Sequence, residues 1–151
     1  CRAKKGFLAH ALRWTGVASE EERIHHDAQN LIEFLDLQSV AQRRVSDLPF
    51  GTQKRVELAR ALASKPKLLL LDEPAAGLNH EEVHGLSKLV QHVRDGLHVT
   101  VLLVEHHMSM VMSISDKVVA LNFGRKIADD IPERVQQHPE VIQAYLGTEA
   151  A

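Results

Sequence analysis

Apolar side chains at Ile24, Ala28, Leu31, Ile32 and Leu35 recur at spacings of three and four, the period of a helix with one buried face. Ser19 followed by Glu22 supplies a capping-box pattern for a start near residue 20. Before it, Phe7, Leu8, Ala11 and Leu12 predict a short helix over residues 7–14, with Gly16 as a break. After Pro49 the pattern predicts a helix over about 52–64 that presents Val56, Ala59, Leu62 and Ala63 and ends at Pro66. The apolar run that follows predicts a strand over 67–71, and four successive leucines, Leu68 to Leu71, demand burial on both faces. Asn79 and Glu82 repeat the capping-box pattern for a helix reaching Arg94, with Gly96 as its break.

The rest of the chain alternates. Residues 98–104 predict a second strand, parallel to the first because a whole helix intervenes. A methionine-rich helix over 107–115, a strand over 117–122, a tight turn at Asn122, Phe123 and Gly124, and a short strand over 126–128 complete the core. Pro132 opens one C-terminal helix, and Pro139 lies in the first turn of another that carries Val141, Ile142, Tyr145 and Leu146. Helices come first and α/β repeats second. The fold class is therefore α/β, a helical subdomain against part of a mostly parallel sheet, divided as a partial helical subdomain (1–50), an α/β core (51–128) and a helical tail (129–151).

Composition narrows the partners. With 18 basic and 20 acidic side chains the formal net charge is −2, which gives no large positive field of the kind that nucleic acid binding uses. The longest apolar runs are too short to cross a bilayer. The single cysteine, Cys1, allows no internal disulfide. The opening CRAKKGF lacks the shape of a first structural element, so the expectation is a sequence that begins inside a longer polypeptide.

The candidate chemistry lies where the leucines end. Asp72 and Glu73 fall at the carboxyl end of the first strand, where open α/β sheets place their ligand crevice. There Asp72 can hold Mg²⁺ through its water shell, and Glu73 can orient or deprotonate an attacking water. Two adjacent acids that simply remain solvated are the bland reading of the same pair. A nucleotide hydrolase also needs a glycine-rich cradle with a lysine, and no GxxxxGK[ST] occurs in these 151 residues. Among 10 histidines, the pairs His25–His26 and His106–His107 lack the HExxH spacing, and no zinc is expected. Met108, Met110 and Met112 read as packing residues.

LPFGTQKRVELARAL at 48–62, LLLLDEPAAGLN at 68–79 and VLLVEHHMSMVM at 101–112 stand in the order and spacing of the ATP-binding cassette ATPases, which the chain resembles along nearly its entire length. The tail RKIADDIPERVQQHPEVIQAYLG at 125–147 resembles the branched-chain amino acid import branch in particular. On this resemblance, residues 51–128 hold the signature helix and the C-terminal part of a P-loop NTPase-type core, and the phosphate-binding loop lies before residue 1. LPFGTQ takes the place of the signature LSGGQ, which in the family closes over the γ-phosphate held by a second subunit. Gly51, Thr52 and Gln53 would thus contribute to ATP binding. Gly51 matches the family glycine, whereas Pro49 replaces a serine and Phe50 a glycine, an aromatic familiar from the amino acid import branch.

The resemblance makes Asp72 the Mg²⁺-associated aspartate, Glu73 the catalytic glutamate and His106 the switch histidine that contacts the γ-phosphate. Asn79 and Gly77 fall in the loop that couples two nucleotide sites, although turn and cap geometry explains them as well. His107 stands where the family ordinarily has an acid. The implied cofactors are ATP and Mg²⁺. The implied partners are a second cassette subunit, an integral membrane permease and a periplasmic or extracellular substrate-binding protein, with the cassette at the cytoplasmic face of the membrane. The function expected of the complete protein is ATP hydrolysis coupled to import of branched-chain or related hydrophobic amino acids, and an isolated chain is expected to be inactive. Urea or short-chain amide import is the alternative within the branch, and a noncatalytic assembly module is the alternative outside it. Balanced charge and the import-like tail argue against a DNA-repair or ribosome-associated cassette.

Overall fold

The computed structural model describes residues 15–146, with side chains from 19 to 145. Six α-helices and four strands appear among them: α1 (Thr15–Phe34), α2 (Phe50–Leu62), β1 (Leu68–Asp72), α3 (His80–Leu97), β2 (Thr100–Val104), α4 (Met108–Ile114), β3 (Val118–Asn122), β4 (Arg125–Asp130), α5 (Pro132–Gln136) and α6 (Pro139–Val141). Short 3₁₀ turns at Gln38–Val40 and Val45–Asp47 join α1 to α2, and a π-turn over Ile142–Leu146 follows α6. The helix expected over residues 7–14 lies outside the described residues. Contacts divide the chain into two units, one running to Leu69 with His98–Thr100, the other holding Leu70–Leu97 and the chain from Val101 onward.

In the first unit, α1 starts earlier than its polar pattern suggests. Ser19 and Glu22 lie inside the helix, so they do not form the expected capping box at its N-terminus. The C-terminal end is better defined. Asp36 takes a φ of 54°, its N–H donates to the Glu33 carbonyl, and the Leu37 N–H reaches back to Ile32 at 2.8 Å. This is a Schellman closure with an aspartate in the left-handed position that glycine usually fills. Leu35 and Leu37, on either side of it, are both buried. Leu58 and Leu62 are the buried residues of α2; of the expected face, Leu62 is buried, Val56 and Ala59 are half-buried and Ala63 is exposed.

The second unit is organised by α3. Val83, Leu86, Leu89, Val90 and Val93 are buried along one stripe, and the one buried polar side chain there, Ser87, donates its hydroxyl to the Val83 carbonyl. Helix α3 does not stop at Gly96. It continues to Leu97 and ends where His98 adopts a φ of 51°, so a histidine makes the left-handed turn assigned to the glycine. Met110 and Ile114 bury the inner face of α4. The Arg94 guanidinium donates to the Ile114 carbonyl at 2.8 Å, which satisfies one of the orphan carbonyls at the end of α4.

Strands β1 and β2 pair. The Thr100 N–H bonds the Lys67 carbonyl near one end of the pair and the Glu73 N–H bonds the Val104 carbonyl at the other, so both strands run in the same direction. Burial of all four leucines is not found. Leu69 is buried, whereas Leu68 and Leu70 are 51% and 65% exposed, and Leu102 and Val104 on β2 are exposed as well. A strand turns alternate residues to opposite faces, and the described residues cover only one face of this two-stranded sheet. Strands β3 and β4 form a separate antiparallel hairpin with a bulge after Ala120, so the sheet is one parallel pair plus one hairpin. Val118, Ala120, Val135 and Val141 make the core under the hairpin, and the Tyr145 hydroxyl donates to the Leu121 carbonyl, which ties the tail to β3.

Candidate functional site

Three loop segments of the second unit hold the candidate chemistry. The first leaves β1 at Asp72. Glu73 is held at a φ of 44°, a left-handed conformation that costs a non-glycine residue on the order of 1 kcal/mol and is concentrated at functional sites. Its N–H is fixed to the Val104 carbonyl at 2.8 Å, so the strand pairing itself holds the residue in that turn. The Asp72 side chain is exposed and makes no hydrogen bond or ion pair with other described residues. Its oxygens are therefore available to the water shell of a divalent cation, and the donor set fits Mg²⁺.

The second segment is AAGLN. Gly77 takes a φ of 79°, which only glycine adopts freely, and Ala75 is fully buried. Asn79 and Glu82 form the reciprocal cap expected for α3: the Glu82 N–H donates to Asn79 Oδ1 at 3.0 Å, and the Asn79 N–H donates to Glu82 Oε2 at 2.9 Å.

The third segment follows β2. His106 Nδ1 lies 3.9 Å from Glu73 Oε1, with both side chains more than half exposed. The structure thus brings His106 and Glu73 together and leaves their outer faces open to solvent. His107 places its Nδ1 2.9 Å from Glu105 Oε2. The two histidine rings stay close, with centroids 4.5 Å apart.

Glu105 is the residue that sequence reasoning passed over. Its side chain is completely buried and collects four N–H groups. Oε1 accepts from the Ala75 backbone at 2.8 Å, while Oε2 accepts from the backbone of His106 and His107 at 3.0 and 3.3 Å and from the His107 ring. Burial pushes the carboxyl pKa up, but the His107 ring and the three backbone donors outweigh it and hold the group below the usual glutamate value. The signal was legible as register: Val101 and Leu103 face inward on β2, so the inward position after them is 105. A carboxylate at such a position needs partners waiting for it.

The LPFGTQ segment lies in the first unit and is described by itself. Helix α2 begins at Phe50, with Pro49 as an N-cap that makes no side-chain bond. The N–H groups of Thr52 and Gln53 both bond the Pro49 carbonyl, and the Gln53 side chain donates to the Leu48 carbonyl at 2.9 Å. Gly51, Thr52 and Gln53 are half-buried in this first helical turn, and with the Thr52 and Gln53 N–H groups turned to Pro49 it is the Gly51 N–H that is left for an outside acceptor. Such a turn favours an anion. Phe50 is exposed, with the Lys54 ammonium 5.3 Å from its ring centroid.

Comparison with known proteins places the fold and the family. Solved structures that superpose on the chain include the ADP conformation of MJ1267, an ATP-binding cassette of an ABC transporter, at a TM-score of 0.75 and 29% identity over 83% of this chain and 50% of that one. The fold is thus the α/β, P-loop NTPase-type cassette with its helical subdomain. A family model described as ABC transporter matches residues 5–76, and one described as branched-chain amino acid ATP-binding cassette transporter matches residues 125–151. The chain is 42% identical over 141 residues to the high-affinity branched-chain amino acid transport ATP-binding protein BraF of Pseudomonas aeruginosa, covering 93% of this chain and 55% of that protein. It is 38% identical over 144 residues to the corresponding LivG of Escherichia coli, covering 95% and 56%. The chain belongs to the ATP-binding cassette transporter family, in its branched-chain amino acid branch. It spans about half the length of these relatives.

Proposed function

We propose that this chain is part of an ATP-binding subunit that couples ATP hydrolysis to import of branched-chain or related hydrophobic amino acids through a membrane permease. The observation that carries the reading is the approach of His106 Nδ1 to Glu73 Oε1 at 3.9 Å, beside the exposed Asp72 carboxylate at the carboxyl end of a parallel strand pair. The match of the tail to the branched-chain model supports the substrate class.

In this reading Glu73 orients and deprotonates the attacking water, and His106 contacts the terminal phosphate and holds its position beside Glu73. Asp72 holds hydrated Mg²⁺, which when bound neutralises phosphate charge. The N-terminal turn of α2, formed by Gly51, Thr52 and Gln53, faces the phosphate bound by a second cassette subunit and offers it the Gly51 backbone N–H. Asn79 and Gly77 lie in the loop that meets that subunit. ATP clamps the two cassettes, hydrolysis releases them, and the cycle drives the permease from the cytoplasmic face of the membrane. A substrate-binding protein and the permease select the amino acid, because nothing in the cassette chemistry distinguishes one side chain from another.

The test is reconstitution of the complete protein with its permease and substrate-binding protein in vesicles. ATP-dependent uptake of leucine, isoleucine or valine is the expected result. Uptake of urea or short-chain amides in their place reassigns the substrate, and absence of ATP turnover overturns the reading in favour of a noncatalytic module.

A further inference from the structure

Glu105, His106 and His107 each offer a ligand atom within 4.8 Å of the others, a spacing that a borderline divalent ion can span. The hydrogen bonds argue against an ion. Both Glu105 oxygens are already taken by N–H groups, three of them on Oε2, and metal coordination would have to break these bonds inside the protein. The arrangement is that of an internal clamp.

We infer that Glu105 is a positioning residue that locks the loop after β1 to the loop after β2 and thereby sets His106 opposite Glu73. The inference deepens the proposed function and rests on it. One carboxylate spans the junction: Oε1 holds Ala75, two residues beyond Glu73, and Oε2 holds the backbone of His106 itself. Four donors fix the group in every direction, so it has no freedom to follow one loop without the other. His107 completes the clamp by donating Nδ1–H, which also explains how a histidine is accommodated at a position where the family has an acid. The negative charge comes from Glu105 instead.

Outside these bonds, His106 Nδ1 is 3.8 Å from Glu105 Oε2 and 3.9 Å from Glu73 Oε1. The imidazole therefore sits between two carboxylates, one buried and structural, the other exposed and facing the reaction. A shift of the loop after β2 by a fraction of an ångström changes that balance. Proximity effects are sensitive at this scale.

Glu105→Gln is the informative substitution because it keeps the shape and removes the symmetry of acceptors. An amide offers one oxygen, so its NH₂ group must face either the Ala75 N–H or the donors of His106 and His107, and one loop is released. The complete protein, assembled with its permease, is compared as wild type, E105Q, H106A and the double variant. We expect E105Q to lower kcat by about 10- to 100-fold, the range typical of residues that orient a reacting group, with KM for ATP changed by less than about threefold. In the H106A background the same substitution should cost less than about threefold, because the residue it positions is gone. An equal loss in both backgrounds, or no loss in either, overturns the inference.

A second measurement needs no turnover. In the wild-type protein the backbone amide NMR signals of Ala75, His106 and His107 should titrate together in a single acid transition below the ordinary glutamate range, as one carboxylate is protonated. The neighbouring titratable groups are His106, His107 and Glu73, and only Glu105 touches all three amides. Independent transitions for the three signals defeat the clamp even if ATPase activity is normal. Conversely, a concerted titration in a protein without ATP turnover leaves the clamp standing and overturns the functional reading alone.

Discussion

His106 Nδ1 stands 3.9 Å from Glu73 Oε1, although the two residues close different strands and are both more than half exposed. The distance is longer than a hydrogen bond, and it leaves room for a proton-bearing atom or a water to be shared when a phosphate arrives. Replacing Glu73 by glutamine keeps the side-chain shape and removes the base. Steady-state turnover of the complete protein should fall by about 10²- to 10⁴-fold, the range usual for loss of a general base, and ATP-bound dimers should accumulate on gel filtration. Unchanged turnover would remove Glu73 from the mechanism.

The cap of α3 offers a cleaner stability test. Asn79 and Glu82 satisfy each other's backbone N–H groups, and the pair is exposed, so little packing is lost when it is cut. Asn79→Ala should destabilise the chain by about 1 kcal/mol and Asn79→Asp by much less, both measured by urea unfolding. If Asn79 also serves the interface between two cassettes, Asn79→Asp should preserve the melting behaviour and still weaken ATP-dependent dimerisation. The two roles separate on that variant.

How much of this was legible depended on which physical signal carried it. The Asn79–Glu82 box, the prolines opening α5 and α6 and the parallel order of β1 and β2 follow from local stereochemistry, and they appear where spacing put them. The helix ends do not. Asp36, Lys65 and His98 all take positive φ values after helices, whereas sequence points to glycine for that task, so Gly96 does not make the break that its type suggests. Glu105 shows in the sequence only as an inward register position. Its partners are backbone amides from two loops, 30 residues apart in the case of Ala75, and backbone donors leave no trace in residue identity. Four leucines in a row signalled burial, yet burial belongs to what covers a strand, and β2 alone leaves Leu68 and Leu70 open.

Acid should loosen the hairpin before it unfolds the rest. Asp129 bonds Lys117 and Lys126 at 2.8 Å each, and these two ammonium groups, Lys117 first, hold its pKa down to about 2. A carboxylate with a depressed folded-state pKa contributes stability that is present above its unfolded value and disappears as pH falls through the folded one. The contribution should therefore be intact at pH 5 and decline from about pH 4 to about pH 2. Glu105, also lowered, contributes in the same direction. Unfolding free energy measured against pH should show this acid slope, and Asp129→Asn should flatten part of it. Because the lysines are exposed, about 1 M salt should flatten it further. A slope that is indifferent to Asp129→Asn would show that the ion pairs hold nothing.

Phe123 tests whether strain at the hairpin is structural or functional. With Gly124 it forms the two-residue connection between Asn122 and Arg125, and both turn residues have positive φ, at 46° and 77°. That is the twist an antiparallel hairpin prefers, and it favours Asn-Gly strongly over Phe-Gly. The phenyl ring recovers nothing by packing, since it is fully exposed. Phe123→Asn should raise stability by about 1 kcal/mol, the scale of the left-handed penalty for a side chain that cannot bond its own backbone, and thermal melting measures it. If the variant also leaves ATP turnover and uptake unchanged in reconstituted vesicles, the aromatic at the tip is dispensable. If stability rises while uptake falls, the exposed ring is a contact surface whose strain the fold tolerates for that purpose.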